Sequence, residues 1–422
     1  MKKVHFSFIL AGAFFLGVIN ADPVTVNDIG VGARAFSFAN NYVALSNDMS
    51  GIFWNPAALS FLPVREFQAA FDILDNRNTV DLSGVNKKSD VRRIRLSDAG
   101  FLASIPTSKG GLTFAGSVQT PYIFDDNPSF KGAYTDDSNR VINVDQDYKG
   151  YGGLTYISGA FGLQVAPGFG IGVTASLVTG SEKTRRILYL TTNGSLLDIV
   201  NDDYDLSIDR GYIGYDFRFG LFYAPSNIIR LGMRLSLPQQ IWFDEDWSET
   251  YPGTDVRSFS PKYSGKLLSS YSGAIGAAMR LPFLTVSTEL RARAPYDIAY
   301  PDEKIPQSSA AAQMKMGAGI GVEVPIYMSK VLVRGGYSWD QYDPFVFVRQ
   351  YDNENIIWDE DALNDYKFRS LVTCGLAYVD DNWCIEGAYG YQTWNFDSKF
   401  DNVILAEHHQ LHRFTISFAV RY

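Results

Sequence analysis

The last eleven residues constrain this chain more than any other stretch. His412, Phe414, Ile416, Phe418, Val420 and Tyr422 alternate with Arg413, Thr415, Ser417, Ala419 and Arg421, an apolar series against a polar one. A period of two marks a strand whose two faces meet different surroundings. The pattern recurs in Ile229, Leu231, Met233, Leu235 and Leu237 against Arg230, Gly232, Arg234 and Ser236. It recurs again in Leu284, Val286, Thr288 and Leu290 against Ser287, Glu289, Arg291 and Arg293. Gly150 to Ser181 carries no charge, yet Ala166-Pro167-Gly168 breaks it, and alternation from Thr155 to Val165 makes it two strands about a tight turn. Such strands suit a soluble sheet or a membrane barrel.

Connection lengths decide between the two. Strands are expected at 62–74, 94–105, 111–123, 151–165, 169–181, 212–224, 228–241, 266–281, 283–295, 311–323, 330–341, 366–378, 382–395 and 410–422. Short joints such as 106–110, 166–168, 225–227 and 379–381 alternate with long ones such as 75–93, 124–150, 182–211 and 396–409. Outer-membrane barrels have short periplasmic turns and longer external loops, and a soluble sandwich has no reason for that rhythm. The expected fold is all-β: a 14-stranded antiparallel transmembrane β-barrel over residues 62–422 in the bacterial outer membrane, among its lipids. The aromatic Tyr422 on an outward apolar face resembles the signal read by the barrel-assembly machinery.

Residues 1–21 read as a secretory signal: Lys2 and Lys3, an uncharged core from Phe6 to Ile19, and Ile19-Asn20-Ala21 at the cleavage site. Beyond it no apolar run reaches the roughly 20 residues of a membrane helix. With 37 basic against 46 acidic residues the net charge is −9, and no basic block offers a nucleic-acid surface. The two cysteines, Cys374 and Cys384, make no Cys-x-x-Cys pair and are expected to form no disulfide.

Residues 22–61 do not alternate. They combine Gly30, Gly32, Gly51 and many alanines with Phe36, Phe38, Phe53 and Trp54, too short a stretch for its own core and too apolar for a disordered tail. It suits a segment packed inside a barrel lumen. Gly30-x-Gly32-Ala33-Arg34-Ala35, then Ala44, Asp48 and Ser50, then Phe53-Trp54-Asn55-Pro56-Ala57-Ala58-Leu59, resembles the N-terminus of the FadL family. Ala58 stands where that family has Gly. The resemblance implies a fourteen-stranded outer-membrane transporter of long-chain fatty acids or similar hydrophobic compounds. Its N-terminus would be a hatch centred on Asn55, Pro56 and Ala57, and ligand would leave through a gap beside a kinked third strand. The motif is also similar to that of PorV-type proteins, which serve protein secretion; on that alternative the partners are exported proteins or secretion machinery.

Within this reading Gly116 is the strand-kink candidate, because glycine tolerates irregular backbone, while Pro121 is expected to end its strand at the rim. Arg34 faces the pocket as an anion-binding side chain, with Phe36, Phe38, Phe53 and Trp54 as apolar contacts. Leu196, Leu197, Ile199 and Val200, with Trp242 and Trp247, supply an external docking groove. Arg234, Glu289, Arg291, Arg293, Arg334, Lys367, Arg369, Glu386 and Arg413 are expected inside the lumen, mostly pairing with one another. His408, His409 and His412 lack a carboxylate framework for metal, and no nucleophile elbow or phosphate loop occurs. The expectation is a non-enzyme without cofactor or metal.

Overall fold

The computed structural model describes residues 27–62, 65–107, 110–135, 141–193, 204–251, 257–259, 262–269, 271–294, 296–299, 314–326, 329–342, 350–352, 355–357, 367–400 and 403–422. The signal at 1–21 and Leu196, Leu197, Ile199 and Val200 lie outside the described residues.

Fourteen antiparallel strands close into one barrel. They are β1 Arg65–Leu82, β2 Val85–Thr107, β3 Gly110–Ile123, β4 Val141–Ala166, β5 Phe169–Asn193 and β6 Tyr204–Tyr223. β7 runs over Ile229–Ser236 and Gln240–Tyr251; β8 over Arg257–Phe259, Lys262–Ser269 and Ser272–Leu281; β9 over Leu284–Arg293 and Tyr296–Ala299. The circuit ends with β10 Lys315–Pro325, β11 Val331–Tyr342, β12 Lys367–Val379, β13 Trp383–Phe400 and β14 Val403–Arg421. β14 pairs back onto β1 from Glu66↔Arg421 to Leu82↔Leu405, so the sheet has no free edge there.

Alternation sorts the faces as the sequence expects. Phe414, Ile416 and Phe418 are exposed on the outside, while Arg413, Thr415 and Ser417 are buried inside. Large exposed apolar side chains occur on every one of the fourteen strands, a belt that only lipid covers. All fourteen expected strands are present, yet several run further than expected. β1 and β2 continue through 75–93 and join by the two-residue turn Ser83-Gly84, with φ of 52° and 87°. Positive φ at both positions is what a tight hairpin turn of this hand requires. β13 and β14 likewise extend to Phe400 and Val403. Above the membrane the outer face meets water and carries Asp75, Arg77, Thr79 and Asp81, while the inner face buries the polar Asn76 and Asn78, so the hydropathy alternation fades while the ladder goes on.

Inside the barrel lies the N-terminal segment. Asn27–Asp28 pairs with β3; helix α1, Ala33–Ser37, helix α2, Gly51–Trp54, and a 3₁₀ helix, Pro56–Phe61, follow. Nearly every residue from Ile29 to Ser60 is buried. Small inward residues let it touch the wall: a Cβ on Gly336 would lie 2.5 Å from the Phe38 carbonyl carbon.

Candidate functional site

Asn55 holds the inner segment together. Its Nδ2 donates to the carbonyls of Val43 (2.9 Å) and Leu221 on β6 (3.0 Å), while its Oδ1 accepts from Ala57 N (3.1 Å). One fully buried amide thus caps the 3₁₀ helix and ties it to the wall, a role open only to a short side chain with both donor and acceptor. Pro56 follows at the first helical position, where its missing N–H costs nothing. Pro56 and Ala57 are buried with it.

Charged side chains from the wall clamp the same segment. Arg413 bonds Asp72 (3.0 Å), reaches the Ile29 and Gly30 carbonyls and lies 4.2 Å over the Phe36 ring. Glu289 accepts from the Tyr42 and Val43 amides at 2.8 and 2.9 Å, and Glu66 accepts from Met49 N at 2.8 Å. Arg34 lines neither of the two clefts described below: it pairs with Glu323 (3.2 Å), which also holds Arg334 (2.7 Å), and Arg334 continues to Glu386 (2.9 Å). Its charge is spent on docking α1 to β10 and β11, so the ligand-facing expectation for Arg34 is corrected. Phe38 is fully buried against Gly321 and Gly336.

Above the inner segment lies an open cleft of about 90 Å³. Phe53 and Trp54 line it, in edge contact with ring centroids 5.0 Å apart. Around them stand six cationic side chains, Arg218, Arg234, Arg291, Arg293, Lys315 and Arg369, against two carboxylates, Asp28 and Asp340. Arg218 sits 4.0 Å over the Phe53 ring and bonds Asp216 (2.6 Å), which also accepts from Gln239 (2.5 Å). Arg291 pairs with Asp340 (3.3 Å) and bonds Asn41 (3.1 Å). Phe36 lines a smaller neighbouring pocket with Arg413. Arg218 and Lys315 were missed in the sequence. The alternation Asp216, Arg218, Gly220 against Phe217, Phe219, Leu221 carries the signal that Arg218 points inward.

A second feature is an interruption in the wall. The β2–β3 ladder ends at Asp98↔Gln119, and the β3–β4 ladder skips Thr120 and Pro121 before resuming at Tyr122↔Leu154. Pro121 has no N–H to offer a neighbour. Gly116 pairs regularly with Phe101 and Gly159, so the irregularity belongs at Thr120–Pro121, four residues beyond the expected kink. Ser97 bulges out of the β1–β2 register at the same height. The freed edge of β3 is taken by the inner segment: Asn27 and Asp28 pair with Ile123 and Tyr122, and Ile29 N donates to Pro121 O (2.9 Å).

Trp242 and Trp247 do not form one groove. Trp242 is exposed beside Tyr215 on the outer face, while Trp247 is buried with Leu206 and Ile208. The histidines are also split: His409 is buried inside, stacked on Trp394 and bonded to Glu407 (3.1 Å), whereas His412 bonds Tyr389 outside (2.8 Å). Cys374 and Cys384 are free thiols.

A closed fourteen-stranded barrel with a lipid-facing belt and a lumen filled by its own N-terminus is a bacterial outer-membrane protein of the FadL–TodX fold. Among solved structures it is similar to the Pseudomonas putida toluene transporter TodX, at TM-score 0.66 and 15% identity over 94% of this chain and 99% of that one. A Pseudomonas aeruginosa FadL homologue gives 0.65 and 13% over 96% and 99%, and the Ralstonia pickettii toluene transporter TbuX gives 0.60 and 14% over 94% and 99%. No family model and no curated protein matches the chain.

Proposed function

We propose that this protein is a passive outer-membrane channel for hydrophobic molecules, long-chain fatty acids or similar apolar compounds, in which the inner segment is the hatch. Support comes from its fold neighbours, whose names are those of toluene transporters and a FadL homologue. The observation that carries the mechanism is the pairing of Asn27–Ile29 with the edge of β3 that β2 has released. An apolar molecule reaching the cleft from outside leaves sideways when that short strand peels away, opening the wall between β2 and β3 into the bilayer. Only about three backbone pairings need to break, and no energy-coupling element takes part. Flux follows the gradient.

The test is a lock on that strand. Ile29 donates to Pro121, so Asp28 and Tyr122 form the adjacent non-hydrogen-bonded pair, whose Cα atoms stand about 4.5 Å apart, within disulfide reach. In a Cys374→Ser, Cys384→Ser background, Asp28→Cys with Tyr122→Cys is expected to stop uptake of radiolabelled oleate or toluene when oxidised. Reductant restores it. Uptake that ignores the oxidation state overturns lateral exit; absence of uptake by the parent, with an exported protein co-purifying, overturns transport in favour of the secretion role.

A further inference from the structure

We infer that Arg95 is the latch of the side exit and that Asp72 couples it to the hatch. The inference rests on the lateral-exit reading and assigns the control of that exit. Where the β2–β3 ladder ends at Asp98↔Gln119, backbone groups along the seam lose their ladder partners. Buried carbonyls are bonded to something, and here side chains do it. Arg95 on β2 donates from Nη2 to the Thr120 carbonyl and from Nη1 to the Tyr122 carbonyl (3.5 Å), both on β3. Thr120 Oγ1 donates in return to the Leu96 carbonyl on β2. Higher up, Arg93 bonds Asp125 (2.8 Å) and lies 4.9 Å over the Tyr151 ring on β4. Over this stretch the wall is closed by side chains, which swing aside by changing rotamer and leave the neighbouring ladders intact.

Asp72 sits between latch and hatch. Its Oδ1 accepts from Arg413 Nε (3.0 Å) and Thr415 Oγ1 (2.7 Å), and Arg413 goes on to the Ile29 and Gly30 carbonyls of the inner segment. Its Oδ2 faces Arg95 Nε at 3.5 Å. That contact is an ion pair without a completed hydrogen bond, and neither atom has another partner among the described residues. Two guanidinium groups thus share one fully buried carboxylate, one gripping the hatch and the other the exit edge. When the strand at 27–29 peels from β3, Arg413 loses the Ile29 carbonyl and its charge falls back on Asp72. Arg95 holds Asp72 by the looser contact, and a cation that loses its carboxylate is costly to keep buried. It therefore withdraws from the seam as the hatch lifts, so that hatch and wall open as one event. The coupling is reciprocal: loosening the latch loosens the hatch.

The experiment reads amide hydrogen exchange by mass spectrometry on the full chain in phosphatidylcholine vesicles, with oleate uptake measured beside it. Arg95→Met keeps the apolar stem and removes the fork. Peptides covering 120–123 and 27–36 are expected to exchange about tenfold faster, as the loss of charged hydrogen bonds implies, while the β10–β11 ladder keeps the parent rate. Oleate uptake rises, and oxidising the Asp28→Cys, Tyr122→Cys lock built into the same variant stops it. Arg95→Lys keeps the charge beside Asp72 without spanning two carbonyls; it shows a smaller change of the same sign and serves if Arg95→Met fails to assemble. Parent-like exchange in both variants overturns the latch, and faster exchange throughout the barrel reduces Arg95 to a structural residue and overturns it too. Faster exchange confined to 120–123 overturns the coupling to the hatch. Parent uptake that ignores the lock removes the side exit and the latch together; uptake that obeys the lock with unchanged exchange removes the latch alone.

Discussion

Inside this barrel, side-chain charge is arranged as chains of partners, and each link has a calculable consequence. Glu323 joins Arg34 on the inner segment to Arg334 on the wall, with both basic side chains largely buried. Glu323→Gln leaves Arg34 without its bonded carboxylate, while Arg334 keeps Glu386. Removing one member of a buried pair costs about 3–5 kcal/mol, so the urea midpoint of the refolded barrel is expected to fall measurably. An unchanged midpoint would mean that water reaches this site freely. That the wall positions Arg234, Glu289, Arg334, Glu386 and Arg413 face inward was legible from period two alone. That Arg34 is paired was not, because its partner lies 289 residues away and only the closed sheet brings it near. Arginine in a lumen reads the same in sequence whether it waits for a ligand or holds a helix.

Each wall strand owes its legibility to the membrane. Where one face meets lipid and the other the lumen, hydropathy alternates and all fourteen strands can be read. Beyond the bilayer, as at 75–82, the ladder continues with a wetted outer face and the polar Asn76 and Asn78 buried inside, and the signal vanishes. The inner segment has no period, so its composition told that it packs and not where. Its path is set by close approaches at glycine, which leave no mark in hydropathy. At Gly336 on β11 an added Cβ would fall 2.5 Å from the Phe38 carbonyl carbon and 2.6 Å from Ala39 N. Gly336→Val should therefore undock α1 without breaking β11, whose pairing with β10 and β12 does not use the side chain. The expected outcome is a barrel that keeps its heat-modifiable gel mobility yet shows resolved ion-channel openings in planar bilayers, where the parent is closed. A closed variant would place the blockage elsewhere than in this segment.

The wall itself is uneven, and that unevenness gives the molecule its sidedness. Crossing the hydrocarbon needs about 9–11 tilted residues. β10, with 11 residues, does little more than cross, whereas β4 and β5, with 26 and 25, have about 15 to spare, on the order of 35 Å when tilted. The surplus lies wholly at one rim, because the other is closed by the turns after Ala166, Leu281 and Val379 and by Tyr422, whose N–H donates to Arg65 O (3.0 Å). The cleft lies toward the tall rim, lined by Arg291 and Arg293 on β9, Lys315 on β10, Asp340 on β11 and Arg369 on β12. For uptake, the tall rim must face outward. In a Cys374→Ser, Cys384→Ser background, Ser83→Cys at the tip of the β1–β2 hairpin should react with a membrane-impermeant maleimide on intact cells. Asp381→Cys, in the turn between β12 and β13, should react only after the outer membrane is permeabilised. The reverse labelling would point the cleft at the periplasm, where a passive channel would meet its cargo last, and the direction of transport argued from the cleft would have to be inverted.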